Sequence, residues 1–340
     1  MSARVLLTGA TGAFGRRLAA ALHDHGCELV LLTRGSDERN ARSRATRTMG
    51  RSGPRVQVVT GDLGQASLGL SGRGLRLARS ADLLVHAAAT TDFLQPLEET
   101  RRINVGGTRN LLDFAASMPA LERVVYVSTA FVAGKRTGLI AEEDSPDTGP
   151  GFVTAYERTK HEAESLLKSW DGAPTAVLRP SVVIEPRTAR DATAFWFVLS
   201  LIARDRLPAL PALPATRLDV IPSPDAAVAS AELALLPDAL GVFHIATGSR
   251  APLVADIVRI GADRRVRLIG REAFAAELES LRARHPAAGR AYDGIQVFID
   301  LLAFSKIFDT SRTEAALGRP ACVGDPLDAI APAGLRSAAR

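Results

Sequence analysis

The chain has little that would staple a fold or bind a metal. It has two cysteines in 340 residues, Cys27 and Cys322, which make neither a disulfide framework nor a thiolate metal set. Six histidines fall without ligand spacing. His23 and His25 flank one residue late in a helical pattern, where solvent exposure is expected, and His161 is expected on a helix surface. No metal site is therefore expected. Long apolar runs are also missing: the longest, Ala194 to Ala203, is well short of the ~20 residues a membrane span needs. It is expected to form a buried or substrate-facing helix. There is no internal repeat or low-complexity tract. Met1 to Leu7 runs straight into a strand-like segment, which leaves no room for a signal peptide, and a reducing cytoplasmic setting is expected. Only four of the 42 basic residues are lysines (Lys135, Lys160, Lys168 and Lys306), and the net charge is +5. The arginines are scattered, with no aromatic-interleaved basic stripe, so a nucleic-acid partner is not expected. The one dense basic stretch, Arg34 to Arg55, calls for a local explanation.

What is present is an alternation of short apolar runs with helical patterns. Strands are predicted at Val5–Thr8, Glu28–Thr33, Val56–Thr60, Leu83–His86, Val124–Ser128, Thr175–Arg179 and Val242–Ala246. Helices are predicted at stretches such as Arg16–His25, Thr108–Met118 and Val153–Lys168. Such alternation predicts the α/β class, a Rossmann-type doubly wound parallel sheet with helices on both faces. After Pro180 proline recurs (Pro208, Pro211, Pro214, Pro222, Pro224) and strands become sparse, and Leu253–Arg340 reads as helices and loops. The expected organisation is a nucleotide-binding domain over 1–180, to which a strand at 242–247 returns. A smaller, mostly helical substrate-binding part is expected over 181–340.

The first strand runs into Thr8-Gly9-Ala10-Thr11-Gly12-Ala13-Phe14-Gly15, which opens a helix. Glycines at this spacing allow a tight turn and a close approach of backbone N–H groups to a pyrophosphate at the helix N-terminus. The expected cofactor-binding residues here are Thr8, Gly9, Thr11, Gly12, Ala13, Phe14 and Gly15. Where the second strand ends, an NAD site places an acidic residue for the ribose 2′-hydroxyl. This chain has Arg34 there, with Asp37 and Glu38 slightly later. A guanidinium suits the 2′-phosphate of NADP, so Arg34 is the first choice for that contact and Arg44 the second. Asp62 and Leu63, after the third strand, suit the adenine edge. Ala87, Ala88 and Ala89, after the fourth, are small enough for a cofactor to lie against the backbone.

Tyr156 and Lys160 are four residues apart, so they share a helix face. An ammonium beside a phenol favours phenolate, so Tyr156 is expected below its ordinary pKa, as a proton donor usable near neutral pH. Glu142, Glu143 and Asp144 read as a solvated loop. No nucleophile–histidine–acid pattern is present.

With these residues in view, the chain resembles the extended short-chain dehydrogenase/reductase superfamily over nearly its whole length. Within it, the likeness is greatest to thioester-reductase-like domains, the terminal reductase domains of carboxylic acid reductases and some nonribosomal peptide synthetases. Fatty acyl-CoA reductases share many of the motifs. The likeness rests on Leu31-Leu32-Thr33-Arg34, the Gly61–Leu70 segment, Asn104-Val105-Gly106-Gly107-Thr108, Val127–Val132 and Gly151–Lys160. The resemblance implies that Tyr156 is the proton donor, and that Lys160 holds the nicotinamide ribose and tunes Tyr156. It implies that Thr129 bonds the substrate oxygen and that Asn104 positions the sheet near the cofactor. Pro180, Ser181, Val182 and Val183 would lie near the nicotinamide. Glu185 departs from the family pattern, which has glycine there, and is expected to alter the loop near the nicotinamide or the substrate mouth.

The implied activity is NADPH-dependent hydride transfer to a carbonyl, foremost an acyl thioester on CoA or a carrier, giving aldehyde or alcohol. The alternatives on the same scaffold are a nucleotide-sugar epimerase or dehydratase and a ketone or hydroxysteroid-type dehydrogenase, with a non-catalytic NADP-sensing regulator as a remote third. The substrate partner is a small molecule or a carrier- or CoA-bound acyl group, and the protein is a monomer or homodimer. Adenylation and carrier domains are lacking, so the chain reads as a freestanding reductase or an excised piece.

Overall fold

The computed structural model describes residues 2–35, 43, 53–142, 149–185, 194–204, 207, 209–263, 266–284 and 296–331. Its centre is a seven-stranded sheet built from β1 (Arg4–Thr8), β2 (Glu28–Thr33), β3 (Val56–Thr60), β4 (Leu83–His86), β5 (Arg123–Val127), β7 (Thr175–Pro180) and β11 (Gly241–Ile245). The spatial order is β11-β7-β5-β4-β1-β2-β3, and every pairing is parallel. This is the Rossmann arrangement. Strand order reverses between β1 and β4, and the crevice outside the carboxyl ends at that point is where such sheets bind ligands.

Each face of the sheet is covered, which explains why the strands read as continuous apolar runs. Side chains alternate across a strand. Val5 and Leu7 of β1, with Leu29 and Leu31 of β2, pack on one face against α1 (Ala13–Asp24) and the helix Ser223–Leu235. Leu6, Val30 and Leu32 point the other way, toward α4 (Gly107–Ala115) and α5 (Ala155–Lys168). α4 continues α3 (Leu97–Arg101) through a π-helical turn at Arg102–Gly106, and α2 (Gly72–Arg79) packs beside β3.

A separate apolar cluster gathers Trp196, Leu199 and Ile202 of α6 (Ala194–Ala203), Val254, Ile257 and Val258 of α8 (Val254–Ala262), and Phe274 and Leu278 of α9 (Arg271–Arg284). Ile299 and Leu302 of α10 (Gln296–Leu302) join it. The helix Ser223–Leu235 is α7 in this order, and Ser311–Leu317 is α11.

Three details differ from the sequence expectation. First, the stretch after Leu253 is not only helices and loops. β12 (Arg267–Ile269) pairs with β9 (Ala209–Pro211), and β13 (Lys306–Phe308) pairs with β6 (Gly138–Ile140). A third small pair joins β8 (Val182–Ile184) to β10 (Val220–Pro222). Strands of three residues are too short to carry an alternation signal. Second, Glu142 is not solvated. It is buried and accepts hydrogen bonds from His244 N at 2.6 Å, Arg312 N at 2.7 Å and Thr313 Oγ1 at 2.7 Å, tying α11 to the sheet. Burial raises its pKa against those bonds. Glu143 and Asp144 lie outside the described residues. Third, His23 is half-buried while His25 is exposed. Among the described residues no helix is long and apolar enough to cross a membrane, and no cluster of His, Cys, Asp and Glu could hold a metal.

Candidate active site

The turn after β1 is backbone packed on backbone. Gly9 has φ +79°, and a Cβ there would sit 2.6 Å from the Ala87 carbonyl carbon and the Ala88 nitrogen. A Cβ on Gly15 would lie 2.0 Å from the Gly9 carbonyl oxygen. Only glycine fits either position. Gly12 N donates to Gly9 O at 3.0 Å, and no side chain caps the start of α1. The positive end of the helix therefore faces the crevice with donors to offer, which fits the pyrophosphate of a dinucleotide.

Thr8 stands behind the turn. Its Oγ1 bonds His86 Nδ1 at 2.7 Å and accepts from Ala88 N at 3.2 Å, and His86 Nε2 reaches Thr108 Oγ1 at 3.2 Å. Burial, reinforced by the Lys160 charge, lowers the His86 pKa to about 3. The ring stays neutral and links the turn to α4.

α5 begins with a capping box: Thr154 Oγ1 accepts from Glu157 N at 3.0 Å, and Glu157 Oε2 accepts from Thr154 N at 3.2 Å. This fixes the first turn, on which Tyr156 sits, and the next turn carries Lys160. Lys160 is buried, donates Nζ to Val127 O at 2.7 Å, and lies 4.0 Å from the Tyr126 ring centroid. Thr129, just past β5, is buried and caps the short turn Ala130–Ala133 by accepting from Phe131 N at 3.2 Å. Its hydroxyl also donates to Pro180 O at 3.5 Å, and it lies close enough to the Tyr156 phenol to favour the phenolate. Phe93 meets the Tyr156 ring edge-on, with centroids 5.4 Å apart.

The electrostatics correct the sequence expectation for Tyr156. Burial pushes the phenol above its ordinary pKa and outweighs the Thr129 hydroxyl, while the nearby Glu157 charge pushes the same way. The Lys160 ammonium is itself desolvated, with its pKa lowered to about 7 against the pull of Glu164. Its hydrogen bond goes to the Val127 carbonyl and not to the phenol. Burial thus disfavours the charged form of both groups: the phenol is held neutral, and Lys160 changes charge near pH 7.

These groups open onto one cavity of 680 Å³. Of the sequence-derived residues, Gly9, Gly12, Ala13, Phe14, Gly15, Ala87, Ala89, Thr129, Tyr156, Lys160, Pro180, Ser181, Val182 and Val183 line it. Thr8 and Ala88 brace the turn from behind, and Thr11 is in the turn but off the wall. Asn104 is also off the wall: its Oδ1 accepts from Thr90 N at 2.8 Å and its Nδ2 donates to Thr159 Oγ1 at 3.0 Å, which binds α5 to the loop after β4. Asp62 and Leu63 shape the loop after β3, where Asp62 Oδ1 accepts from Gly64 N and Leu63 O accepts from Asn110 Nδ2. Arg34 is exposed one residue past β2. Arg44, Asp37 and Glu38 lie outside the described residues.

Glu185 is not at the substrate mouth. It is buried beside α1, 3.1 Å from Arg16 and 2.8 Å from Arg17, and its carbonyl accepts from Trp196 Nε1 at 3.2 Å. Burial alone would raise its pKa, but the Arg17 and Arg16 guanidinium groups hold it below the usual carboxylate range. His161 is half-buried against Phe152 and is not a plain surface residue.

Sequence reasoning missed part of the wall. Phe93, Phe131 and Glu157 belong to it, as do Val254, Ile257 and Val258 of α8 and Ile299, Leu301 and Leu302 of α10. The spacing of Val254, Ile257 and Val258 marks an apolar helix face. In sequence, however, a face that lines a cavity cannot be told from one that fills a core.

Comparison with known proteins adds three findings. The profile of the Male sterility protein family, an NAD-binding family, matches residues 7–229. A linear gramicidin synthase of Brevibacillus parabrevis is 32% identical over 189 residues, 51% of this chain and 4% of that protein. A carboxylic acid reductase of Segniliparus rugosus is 29% identical over 211 residues, 54% of this chain and 18% of that protein. The chain thus spans a small fraction of the curated relatives it matches. Among solved structures, the terminal R domain from the myxalamid PKS-NRPS biosynthetic pathway superposes with a TM-score of 0.79 at 25% identity, covering 99% of this chain and 91% of that one.

Proposed function

The chain belongs to the Male sterility protein family and is an NAD(P)-dependent oxidoreductase of the extended short-chain type, and on that premise we propose that it reduces acyl thioesters with NADPH. The observation that carries this reading is the meeting of Thr129, Tyr156 and Lys160 on the wall of a cavity that the glycine turn also lines. Gly9 to Gly15 would hold the pyrophosphate, Lys160 and Pro180–Val183 the nicotinamide end, and Arg34 the 2′-phosphate. When bound, the reduced dinucleotide supplies a hydride to the carbonyl carbon. Arg34 favours NADPH over NADH because a planar guanidinium pairs a phosphate bidentately.

The chain's own residues act on the carbonyl oxygen. Thr129 and Tyr156 donate hydrogen bonds to it, and these strengthen as negative charge develops there in the transition state. Tyr156 gives up its phenolic proton, and protonated Lys160 stabilises the phenolate left behind. With a thioester this yields a hemithioacetal. Its hydroxyl returns a proton to Tyr156, the C–S bond breaks, the sulfur leaves as thiolate and takes a proton from water, and an aldehyde remains. The same groups would protonate the oxygen in a second reduction to alcohol. A nucleotide-sugar reading would need cations or polar groups on the distal wall, and the described lining there is apolar.

The test is NADPH oxidation across acyl-CoA thioesters, aldehydes and ketones, with product identification. Aldehyde or alcohol from a thioester is the expected result. Turnover of ketones with none of any thioester would sink the thioester reading and leave the reductase class intact.

A further inference from the structure

Glu185 has no part in the chemistry above, yet it joins separate stretches of the cavity wall. Arg17 grips its carboxylate through Nη2 to Oε2 at 2.8 Å and Nε to Oε1 at 3.4 Å, and Arg16 Nη2 reaches Oε1 at 3.1 Å. Both arginines belong to α1, whose first residues, Ala13, Phe14 and Gly15, line the cavity. The Glu185 backbone follows directly on β8, whose Val182 and Val183 line it too. The Glu185 carbonyl accepts from Trp196 Nε1 at 3.2 Å, and Phe195, the neighbour of Trp196 in α6, is a further part of the wall.

The link to α1 is stiff. A guanidinium that meets a carboxylate through two N–H groups is held in plane as well as in distance. Glu185 is only 6% exposed, so water competes little for its oxygens, and the two guanidinium groups keep it ionised. Arg16 and Arg17 come one and two residues after Gly15. The carboxylate therefore holds the very end of the helix that opens the glycine turn.

We propose that Glu185 is a positioning residue for the dinucleotide: through Arg16 and Arg17 it fixes the pyrophosphate turn at one spacing from the Pro180–Val183 wall, so that both halves of the cofactor are held at once. This role rests on the dinucleotide class alone and not on the thioester reading. A whole dinucleotide must satisfy both ends of that spacing. A fragment that lacks nicotinamide needs only the turn. The strut thus favours the dinucleotide over its fragment.

The experiment is calorimetric titration with NADP+ and with 2′-phospho-ADP-ribose, the same molecule without nicotinamide. NAD+ and ADP-ribose form a second pair, and the pair that the wild type binds more tightly carries the comparison. Glu185→Gln keeps the shape and removes the charge. The arginines it releases are partly exposed and can turn to water, so the fold should survive. The Kd for the dinucleotide should rise about 10-fold, within the usual range of coupling between two sites, while the Kd for the fragment stays unchanged. Arg17→Gln breaks the same link from the other side and should reproduce the split. In the double variant the two effects should not add, as expected of partners in one contact. kcat should also fall at saturation, because a misplaced reactant costs rate.

Equal losses for dinucleotide and fragment, or no loss for either, would overturn the positioning role, since a residue that only stabilises the fold moves both alike. Simple addition of the two variants' effects would overturn it as well. Binding of neither dinucleotide by the wild type would instead remove the dinucleotide reading, and this role with it. Failure of every thioester as a substrate leaves the comparison intact.

Discussion

At the residue scale, Tyr156 and Lys160 carry the sharpest expectations. Tyr156→Phe removes one hydroxyl and keeps the ring against Phe93. kcat should fall by about 10²–10⁴-fold, the usual contribution of a positioned acid, while dinucleotide affinity measured by fluorescence titration stays unchanged. Full activity in this variant would remove Tyr156 as the acid. Lys160 is charged only below its lowered pKa of about 7. Because the cation is the working form, kcat/KM should decline as pH rises through 7. Lys160→Arg, charged at every accessible pH, should flatten that limb even if its rate is lower. For stability the sign is the opposite: a lysine whose folded pKa is depressed contributes stability at high pH, and that contribution is lost as pH falls through 7. Arg34→Ala should raise the KM for NADPH about 10-fold and leave that for NADH nearly unchanged. Equal effects on the two would refute a 2′-phosphate role. The sequence showed which residues these are but not how they are charged. An i, i+4 spacing brings a phenol and an ammonium to one face, whereas their pKa values depend on desolvation by β4, β5 and the loop after β4, which are distant in sequence.

At the element scale, the seven sheet strands were legible to within a residue or two. Each is a largely apolar run bounded by polar or glycine positions, interrupted only by Gln57 in β3 and His244 in β11, as burial on both faces requires. The glycine turn was equally legible, since Gly9 and Gly15 are fixed by contacts within the same strand–turn–helix unit and with the next strand over. The three-residue pairs β6·β13, β8·β10 and β9·β12 were not legible, because their partners are set by tertiary packing and not by a local pattern. Glu142 was misread for the same reason: the groups that satisfy it, His244, Arg312 and Thr313, lie a hundred or more residues away. The start of α5 was readable as a helix but not as a device. Its capping box holds the first turn, so Thr154→Ala should cost about 1 kcal/mol, measured by urea denaturation. Because Tyr156 sits on that turn, the same variant should lower kcat more than it raises the KM for dinucleotide. A variant that lost stability with kcat untouched would show that the cap serves the fold alone.

At the scale of the whole molecule, α5, which carries Tyr156 and Lys160, is tied to the sheet by a buried ion pair. Arg179 of β7 meets Glu164 of α5 through two hydrogen bonds, at 3.0 and 2.6 Å, and both side chains are almost fully buried. Arg179 immediately precedes the Pro180–Val183 wall of the cavity, and Glu164 lies one turn beyond Lys160. The pair therefore holds α5 and the Pro180–Val183 wall of the cavity in register across the sheet. A pair this dry draws its Coulomb gain against a large desolvation cost, so its net worth is small, but loss of either partner strands a charge. Glu164→Gln should then destabilise the protein by about 3–5 kcal/mol, a large share of the roughly 5–15 kcal/mol that holds a typical domain together. The double variant Glu164→Leu with Arg179→Met should recover most of that loss, because two apolar side chains can fill the space without a charge to satisfy. Chemical denaturation of the wild type and the two variants measures both statements. Activity separates stability from register: if the pair sets the position of Lys160 against the wall, the double variant regains its unfolding midpoint but not its kcat. Recovery of both together would mean that packing alone, without the ion pair, places the helix.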